Sequence, residues 1–219
     1  MIARFDLDAV RFDQDKGTVV VVAQDAATGK VLMVAHADSE ALERTIETGE
    51  MHYRSRTRGL WRKGATSGNV QQVVGLTLDC DGDTVLARVI PAGPACHSGA
   101  VSCFEGSAAP NVWSALAETI ARRHAGLKEA FATTAAARSP ESETKPRSSY
   151  TQELLADRNL RLKKIGEESA ELIAACADGD ASRSTEEAAD LIYHVGVALE
   201  AVGSSLDDVA RVLFERSLK

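Results

Sequence analysis

The hydrophobic pattern of the chain changes near Phe104, and this change limits the fold more than any other feature. Before Phe104, apolar residues recur at alternate positions, as in Val74, Leu76 and Leu78, which indicates half-buried strands. From residue 111 onward, apolar residues recur at helical spacing. A strand pattern and a helix pattern cannot share one layer of structure, so the two halves must be built differently.

We therefore predict two domains, a mainly β (α+β) domain over residues 1–107 and an all-α helical domain over residues 108–219. Residues 132–149 contain two prolines and few large apolar side chains, which predicts a flexible loop inside the second domain. A domain boundary at that loop is the alternative. The length of 219 residues permits one large core or two small ones and does not decide between them.

Individual elements follow from turn and cap residues. Two β-branched runs at 18–24 and 30–36 flank a turn-rich loop, which predicts a hairpin. A helix is predicted to begin at Asp38, a capping residue, and to end before Gly49. The remaining predicted elements are strands at 51–55, 72–78 and 84–90, a helix at 111–131, and three helical segments after Tyr150 separated by 178–180 and 203–205.

Charge and apolar content exclude several classes of partner. A net charge of −7 argues against nucleic acid or an anionic membrane as the main partner, although local basic clusters still permit phosphorylated ligands. The N-terminal residues carry acids throughout and do not form a signal peptide, and no apolar run approaches the roughly 20 residues that span a bilayer. We expect a cytoplasmic protein, in which four cysteines stay reduced and serve as metal ligands, catalytic groups or core residues.

The densest polar motif of the first half is LDCDGD, which places Asp79, Asp81 and Asp83 within five residues. Asp81-Gly82 is a favoured turn pair, so the motif also predicts the turn of a β-hairpin. Three carboxylates at this density repel each other unless a cation lies among them. Oxygen ligands suit Mg²⁺, and we predict a magnesium site here.

Three cysteines in polar surroundings favour Zn²⁺. Cys80, Cys96 and Cys103 are not arranged as the close pairs of a structural zinc finger, so they fit a catalytic zinc with an open position for water. If the strand is extended, Cys80 points away from its neighbouring aspartates, and one strand then serves two metal sites, with a contact across a dimer interface as one way to do so. Cys176 lies in an apolar helical run, where we predict a small buried thiol without a role.

A basic stretch at 53–69 concentrates five of the basic residues of an acidic chain. Arginine side chains, together with the backbone amides of serine, threonine and glycine, can bind a phosphate group. The alternative is a solvated, exposed hairpin. Trp61 is suited either to stack on a base or to fill the core. The predicted substrate and phosphate contacts here are Arg56, Trp61, Arg62, Lys63 and Ser67.

Acidic residues at helical spacing form the main motif of the second half, E-E-x-x-E followed by E-x-x-D. Two facing helices that each supply acids at i,i+3 hold divalent cations between them. The predicted Mg²⁺ ligands are Glu167, Glu168, Glu171, Glu187 and Asp190. Lys163 and Lys164 lie one turn earlier, either as phosphate contacts or as ordinary surface lysines that offset the acids.

The same motifs resemble two known families. LWRKGATSGN, LDCDGD, ACHSG and SCF resemble phosphoribosyl-AMP cyclohydrolase of histidine biosynthesis. SYTQELL, KKIGEESAELIAA and EEAADLIYH resemble phosphoribosyl-ATP pyrophosphatase, and with it the wider all-α, MazG-like nucleotide pyrophosphatases. The resemblance covers most of the chain and implies a bifunctional, nucleotide-binding hydrolase that acts on phosphoribosyl-ATP.

The resemblance implies roles for individual residues. Water would cleave phosphoribosyl-ATP to phosphoribosyl-AMP and pyrophosphate in the second domain, and the first domain would then open the adenine ring at N1–C6. It implies Mg²⁺ on the aspartates, Zn²⁺ on the three thiols with one supplied by the partner of a homodimer, and Mg²⁺ on the helical acids. The candidate catalytic residues are His97, Glu168 and Glu171. The family pattern is not followed at 36–38 or in the long segment 126–149.

Two rival functions use the same residues. One is a house-cleaning nucleoside triphosphate pyrophosphatase fused to a zinc-binding dimerisation module. The other is a zinc-stabilised scaffold whose acids are only solvated. Turnover of phosphoribosyl-ATP discriminates both from the bifunctional hydrolase.

Overall fold

The computed structural model of the chain describes residues 5–104, 111–136 and 148–219, and the side chains of all of these except 130–136. The described chain forms two compact units, one of Met1–Asn111 with Arg216–Lys219 and one of Val112–Glu215. The first is rich in strands and the second is helical, as the hydrophobic pattern predicts. The predicted domain boundary near residue 108 and most of the predicted loop at 132–149 lie outside the described residues.

The first unit contains a four-stranded sheet, a two-stranded sheet and one helix. After a short 3-10 helix at Leu7–Ala9, the elements are β1 (Val19–Asp25), β2 (Val31–Ala37), α1 (Ser39–Thr48), β3 (His52–Ser55), β4 (Gly59–Arg62), β5 (Gln71–Leu78) and β6 (Thr84–Pro91). The order in the large sheet is β2-β1-β6-β5. Strand β1 pairs antiparallel with β2 and parallel with β6, and β6 pairs antiparallel with β5.

Cap and turn residues determine where these elements end. The Asp38 carboxylate accepts a hydrogen bond from the backbone N–H of Ala41 at 2.9 Å, and α1 ends at Gly49 in the left-handed conformation. Gly82 turns the chain between β5 and β6 at a φ of 80°, and a Cβ there would lie 2.8 Å from the Ala9 carbonyl oxygen. The predicted hairpins around 25–29 and at Asp81-Gly82 are therefore both confirmed.

Alternate residues of the strands build the core of the first unit. Val19, Val21 and Ala23 of β1 are buried, and they pack with buried residues of β2, α1, β3, β5 and β6. Tyr53 is fully buried, and its hydroxyl donates a hydrogen bond to Gln71 Oε1 at 2.8 Å. The short strand β4 was not predicted, because Gly59–Arg62 contains only two apolar residues and lies in a basic stretch.

Replacing Tyr53 by phenylalanine is expected to destabilise the first unit by about 1–3 kcal/mol, because Gln71 Oε1 is then buried without its donor. Urea unfolding of the variant measures this loss. Tyr150→Phe is the matched control, since Tyr150 is half exposed and its change should stay within about 0.5 kcal/mol. Equal unfolding midpoints for Tyr53→Phe and wild type would contradict the assigned role of this bond.

The second unit is built from α2 (Val112–Ala136), α3 (Tyr150–Ala156), α4 (Arg158–Asp178), α5 (Ala181–Ala201) and α6 (Leu206–Ser217), although α6 ends beyond the unit's last residue. Helix α2 continues past its predicted end at residue 131. The prediction of three helical segments after Tyr150 was wrong, because Asp157 separates α3 from α4. Its carboxylate accepts from the backbone N–H groups of Asn159 and Leu160, so it caps a new helix.

A small core joins these helices. Ile120, Leu154 and Val197 are buried, with partly buried apolar residues around them. Gly196 allows a close helix approach, because a Cβ there would lie 3.0 Å from Ile120 Cδ1. The prediction that Cys176 is buried was wrong, since its thiol is exposed on α4. No helix among the described residues combines the length and the hydrophobicity that a membrane crossing requires.

Candidate active sites

The aspartate motif forms the turn between β5 and β6. Asp79 Oδ1 accepts hydrogen bonds from the backbone N–H groups of Gly82 and Thr84, both at 3.1 Å. Desolvation acts to raise the pKa of Asp79, but these donors and the neighbouring aspartates outweigh it and lower the pKa. The turn therefore holds Asp79 as a carboxylate.

Asp79, Asp81 and Asp83 each offer a carboxylate oxygen within 4.8 Å of the others. All three residues are exposed. An oxygen-only donor set of this charge suits a hard divalent cation such as Mg²⁺. The structure therefore brings together the three aspartates on which the predicted magnesium site depends.

Cys96 and Cys103 lie in the segment that follows β6. The Cys96 N–H donates to the Ala100 carbonyl at 3.1 Å, which closes a tight loop around His97. The Cys103 N–H donates to the Leu32 carbonyl of β2 at 2.8 Å. These backbone bonds fix the segment that carries the two cysteines, and the Cys96 and Cys103 side chains interact with each other.

The two thiols differ in protonation tendency. A hydrogen bond from Ser98 Oγ, 3.1 Å from Cys96 Sγ, lowers the pKa of Cys96. Burial, together with the neighbouring Cys96, raises the pKa of Cys103. Lys63 faces both sulfurs, and burial lowers its pKa while the two thiols oppose that shift. The pair therefore favours a thiolate at Cys96 beside a thiol at Cys103.

Removing the Ser98 hydroxyl is expected to raise the pKa of Cys96, so that less thiolate is present near neutral pH. Because the thiolate is the nucleophile, alkylation of Cys96 by iodoacetamide in the metal-free Ser98→Ala chain should be slower, with its pH profile moved to higher pH. Peptide mass spectrometry measures the rate, and Ser39→Ala is the control, because Ser39 is an exposed serine of α1 whose hydroxyl donates a hydrogen bond to Glu43. An unchanged profile would show that Ser98 does not activate this thiol.

A cavity of about 570 Å³ opens beside the two thiols. The predicted residues that line it are Trp61, Arg62, Lys63, Ser67, Cys96, His97 and Cys103. His97 is exposed, with Nδ1 3.8 Å from Cys96 Sγ. Trp61 also packs against the core, with its ring centroid 5.4 Å from that of Tyr53. The cavity is large enough for a nucleotide-sized ligand.

Two predicted residues lie elsewhere. Arg56 lines a neighbouring cavity of about 850 Å³ that shares Trp61 with the first. Cys80 does not line the cavity of Cys96 and Cys103, and its thiol is exposed on the β5–β6 turn. One chain therefore brings two of the three predicted thiols together and leaves the third apart.

The acidic motif of the second unit forms a cluster between α4 and α5. Glu168, Glu171 and Glu187 each offer a carboxylate oxygen within 4.8 Å of the others. Glu168 is the buried member, and Glu171 is exposed. Helical spacing places Glu168 and Glu171 on one face of α4, and the tight turn at Gly179–Asp180 returns α5 beside it.

The cluster has the charge distribution of a cation site. A hydrogen bond with Glu187, together with its negative charge, raises the pKa of Glu171, because the two carboxylates lie close together. Arg183 Nε lies 3.4 Å from Glu187 Oε1. A divalent cation would relieve the repulsion among the acids.

Two lysines and a further acid, Glu167, lie beside this trio. Lys163 and Lys164 lie 3.0 Å and 3.2 Å from the Glu167 carboxylate, and they lower its pKa. Lys164 also lies 3.3 Å from Glu168 Oε1. Glu167 and Asp190 are not members of the close trio. Lys164 belongs to its immediate surroundings.

His194 is a neighbour of the cluster that the sequence reasoning missed. Its Nε2 lies 3.7 Å from Glu168 Oε1, and the side chain is buried. Its position four residues after Asp190 on the same helix is the signal that could have found it.

Both halves of the chain match known families. The family model for phosphoribosyl-AMP cyclohydrolase matches residues 33–105, and that for phosphoribosyl-ATP pyrophosphohydrolase matches residues 132–217. The chain is 43% identical to the histidine biosynthesis bifunctional protein HisIE of Thermus thermophilus over 213 residues, covering 96% of this chain and 94% of that protein. The Bacillus subtilis protein of the same name is 40% identical over 218 residues, covering 95% of each.

Proposed function

The chain belongs to the HisIE family of bifunctional histidine-biosynthesis proteins. We propose that its carboxylate site catalyses one of the two reactions and its thiol site the other. The protein hydrolyses phosphoribosyl-ATP to phosphoribosyl-AMP and pyrophosphate, and then hydrolyses phosphoribosyl-AMP at N1–C6. One observation supports this assignment: the carboxylate trio belongs to the helical unit, whereas the thiol pair lies beside a cavity of the first unit.

The first reaction is assigned to the helical unit. Glu168, Glu171 and Glu187 would hold Mg²⁺, which when bound offsets the charge on the phosphates and lowers the barrier to attack by water. Water forms a new P–O bond, the bridge between the α- and β-phosphates breaks, and pyrophosphate leaves. The Lys163 ammonium, exposed at the edge of the cluster, supports a contact with the substrate phosphates.

The second reaction is assigned to the cavity of the first unit. Cys96 and Cys103 would hold Zn²⁺ there, and a bound zinc lowers the pKa of a coordinated water. Water adds to C6 of the ring, the N1–C6 bond breaks and N1 takes the proton. His97 is placed at the cavity as the proposed general base, and Arg62, Lys63 and Ser67 support a phosphate contact.

The third zinc ligand is proposed to come from a second copy of the chain. Cys80 is exposed and apart from the cavity of Cys96 and Cys103, which supports a homodimer with a shared site. The neighbouring aspartates would hold Mg²⁺ near the same interface. The chain is proposed to act in the cytoplasm, where free thiols such as these stay reduced.

Purified protein supplied with phosphoribosyl-ATP, Mg²⁺ and Zn²⁺ tests the proposal, with pyrophosphate and the ring-opened product followed separately. Both products are expected, the first before the second. A protein that released pyrophosphate from ordinary nucleoside triphosphates but not from phosphoribosyl-ATP would instead be a house-cleaning pyrophosphatase. That alternative is disfavoured by the match of both halves to the two families.

A further inference from the structure

His194 is buried beside the carboxylate trio, with only 4% of its surface exposed. Two aromatic rings fix the imidazole. The ring of Tyr193 meets it edge-on at a centroid distance of 5.0 Å, and that of Tyr150 at 6.0 Å. A ring held in this way has little freedom to rotate, so its nitrogens keep fixed positions relative to α4.

His194 pairs with the carboxylate of Glu168. His194 Nε2 and Lys164 Nζ approach the same oxygen, Oε1, at 3.7 Å and 3.3 Å. Among the described residues, no hydrogen bond or ion pair reaches the other oxygen of Glu168. The two oxygens of this carboxylate are therefore in different surroundings, one beside protein cations and donors and one free.

We propose that His194 is a positioning residue for Glu168. By holding Oε1, it turns the free oxygen toward the cation that Glu171 and Glu187 would share. This inference rests on the proposed function, in which Glu168 is a magnesium ligand. The separation of 3.7 Å exceeds a hydrogen bond, and such distances shorten when the ligand of a site is bound.

Packing alone does not account for an imidazole at this place. His194 Nδ1 is buried and has no hydrogen-bond partner among the described residues. A phenyl ring would fill much of the same space against the two tyrosines without burying an unsatisfied nitrogen. The use of the imidazole must therefore lie at its other nitrogen, which faces Glu168. Partners that orient a metal ligand in this way commonly have large effects on metal affinity.

The test compares Mg²⁺ binding by calorimetry and the Mg²⁺ dependence of pyrophosphate release in two variants. His194→Phe keeps a ring and removes the donor, and it is expected to weaken Mg²⁺ binding about 10- to 100-fold. His194→Gln places an amide nitrogen near the position of Nε2, and it should restore most of that loss. If His194→Phe fails to fold, His194→Asn, whose shorter amide does not reach Oε1, replaces it with the same expected loss.

The matched control is His124→Phe. His124 Nδ1 lies 2.7 Å from Glu200 Oε1, so this variant also removes a histidine–glutamate pair from the helical unit, but not one at the trio. Its unfolding temperature is expected to fall while its Mg²⁺ affinity stays that of the wild type. The same loss of Mg²⁺ affinity in His124→Phe would reduce the effect of His194 to general destabilisation and overturn the inference.

Glu168→Gln separates failure of this inference from failure of the proposed function. Weak Mg²⁺ binding by Glu168→Gln with normal binding by His194→Phe would overturn the inference alone. Normal binding by Glu168→Gln would remove Glu168 from the ligand set, and the inference would fail with it. In the double variant, replacing His194 should weaken Mg²⁺ binding no further than Glu168→Gln does, because the imidazole acts through that carboxylate.

Discussion

The Glu171→Gln chain is expected to release pyrophosphate from phosphoribosyl-ATP at least about 100-fold more slowly than the wild type. Glu171 joins Glu168 and Glu187 in the trio that would hold Mg²⁺, and glutamine removes a negative charge that the cation needs. A bound cation contributes several kcal/mol to phosphate transition states, and each 1.36 kcal/mol is a factor of ten in rate. The measurement is pyrophosphate release at saturating phosphoribosyl-ATP over a range of Mg²⁺ concentrations.

Glu186→Gln is the matched control for this loss. Glu186 precedes Glu187 on α5, is exposed, and is not part of the trio. Its replacement removes the same charge and should leave the rate close to that of the wild type. The Glu171→Gln chain should also open the ring of supplied phosphoribosyl-AMP at the normal rate. Equal pyrophosphate release by Glu171→Gln and Glu186→Gln would show that the trio is not the site of this reaction.

The Cys80→Ala chain is expected to stop after the first reaction and to accumulate phosphoribosyl-AMP. Loss of one of three zinc ligands should slow ring opening at least about 100-fold, because the metal supplies several kcal/mol of the barrier reduction. Pyrophosphate release should be unchanged, since the carboxylate trio lies in the other unit. Chromatography of the nucleotide products measures both steps in one reaction.

Cys176→Ala controls for the loss of an exposed thiol, because Cys176 is also exposed and lies on α4 of the helical unit. Its ring-opening rate should match that of the wild type. Zinc content, measured by atomic absorption, should fall in the Cys80→Ala chain and not in the Cys176→Ala chain. Normal ring opening by Cys80→Ala would contradict its assignment as a zinc ligand.

The sequence predicted those elements that carry a strong local signal. Runs of β-branched residues predicted β1 and β2, and Asp38 and Gly49 marked both ends of α1. The short strand β4 was missed because pairing with β3, rather than its own composition, makes it a strand. The end of α3 was missed because the helical pattern continues across Asp157, whose carboxylate starts a new helix.

The sequence predicted candidate residues for the sites, but it predicted less of how these residues are arranged. Helical spacing placed Glu168 and Glu171 on one face, but it could not show that Glu167 turns toward the lysines. His194 was missed because it lies in an apolar run of the sequence, where a histidine is predicted to belong to the core. The exposure of Cys176 also depends on which helices cover α4, and this tertiary fact has no local signal.

One chain is proposed to provide a whole carboxylate site but only part of a thiol site. Co-expression of differently tagged Cys80→Ala and Cys96→Ala chains, with isolation of the mixed dimer, tests this proposal directly. In a two-fold dimer, one of the two thiol sites is then complete. The Cys80→Ala chain supplies its Cys96 and Cys103, and the Cys96→Ala chain supplies its Cys80. The mixed dimer is expected to recover about half of the wild-type ring-opening rate.

A mixed dimer of Cys96→Ala and Cys103→Ala is the control, because both changes fall on the thiol pair that each chain contributes on its own side of the site. It should stay inactive in ring opening while it releases pyrophosphate normally. Recovery of about half the rate by the first mixed dimer and not by the second is the predicted result. Absence of any recovery in the first, with both chains folded and paired, would contradict a thiol site completed by a second copy.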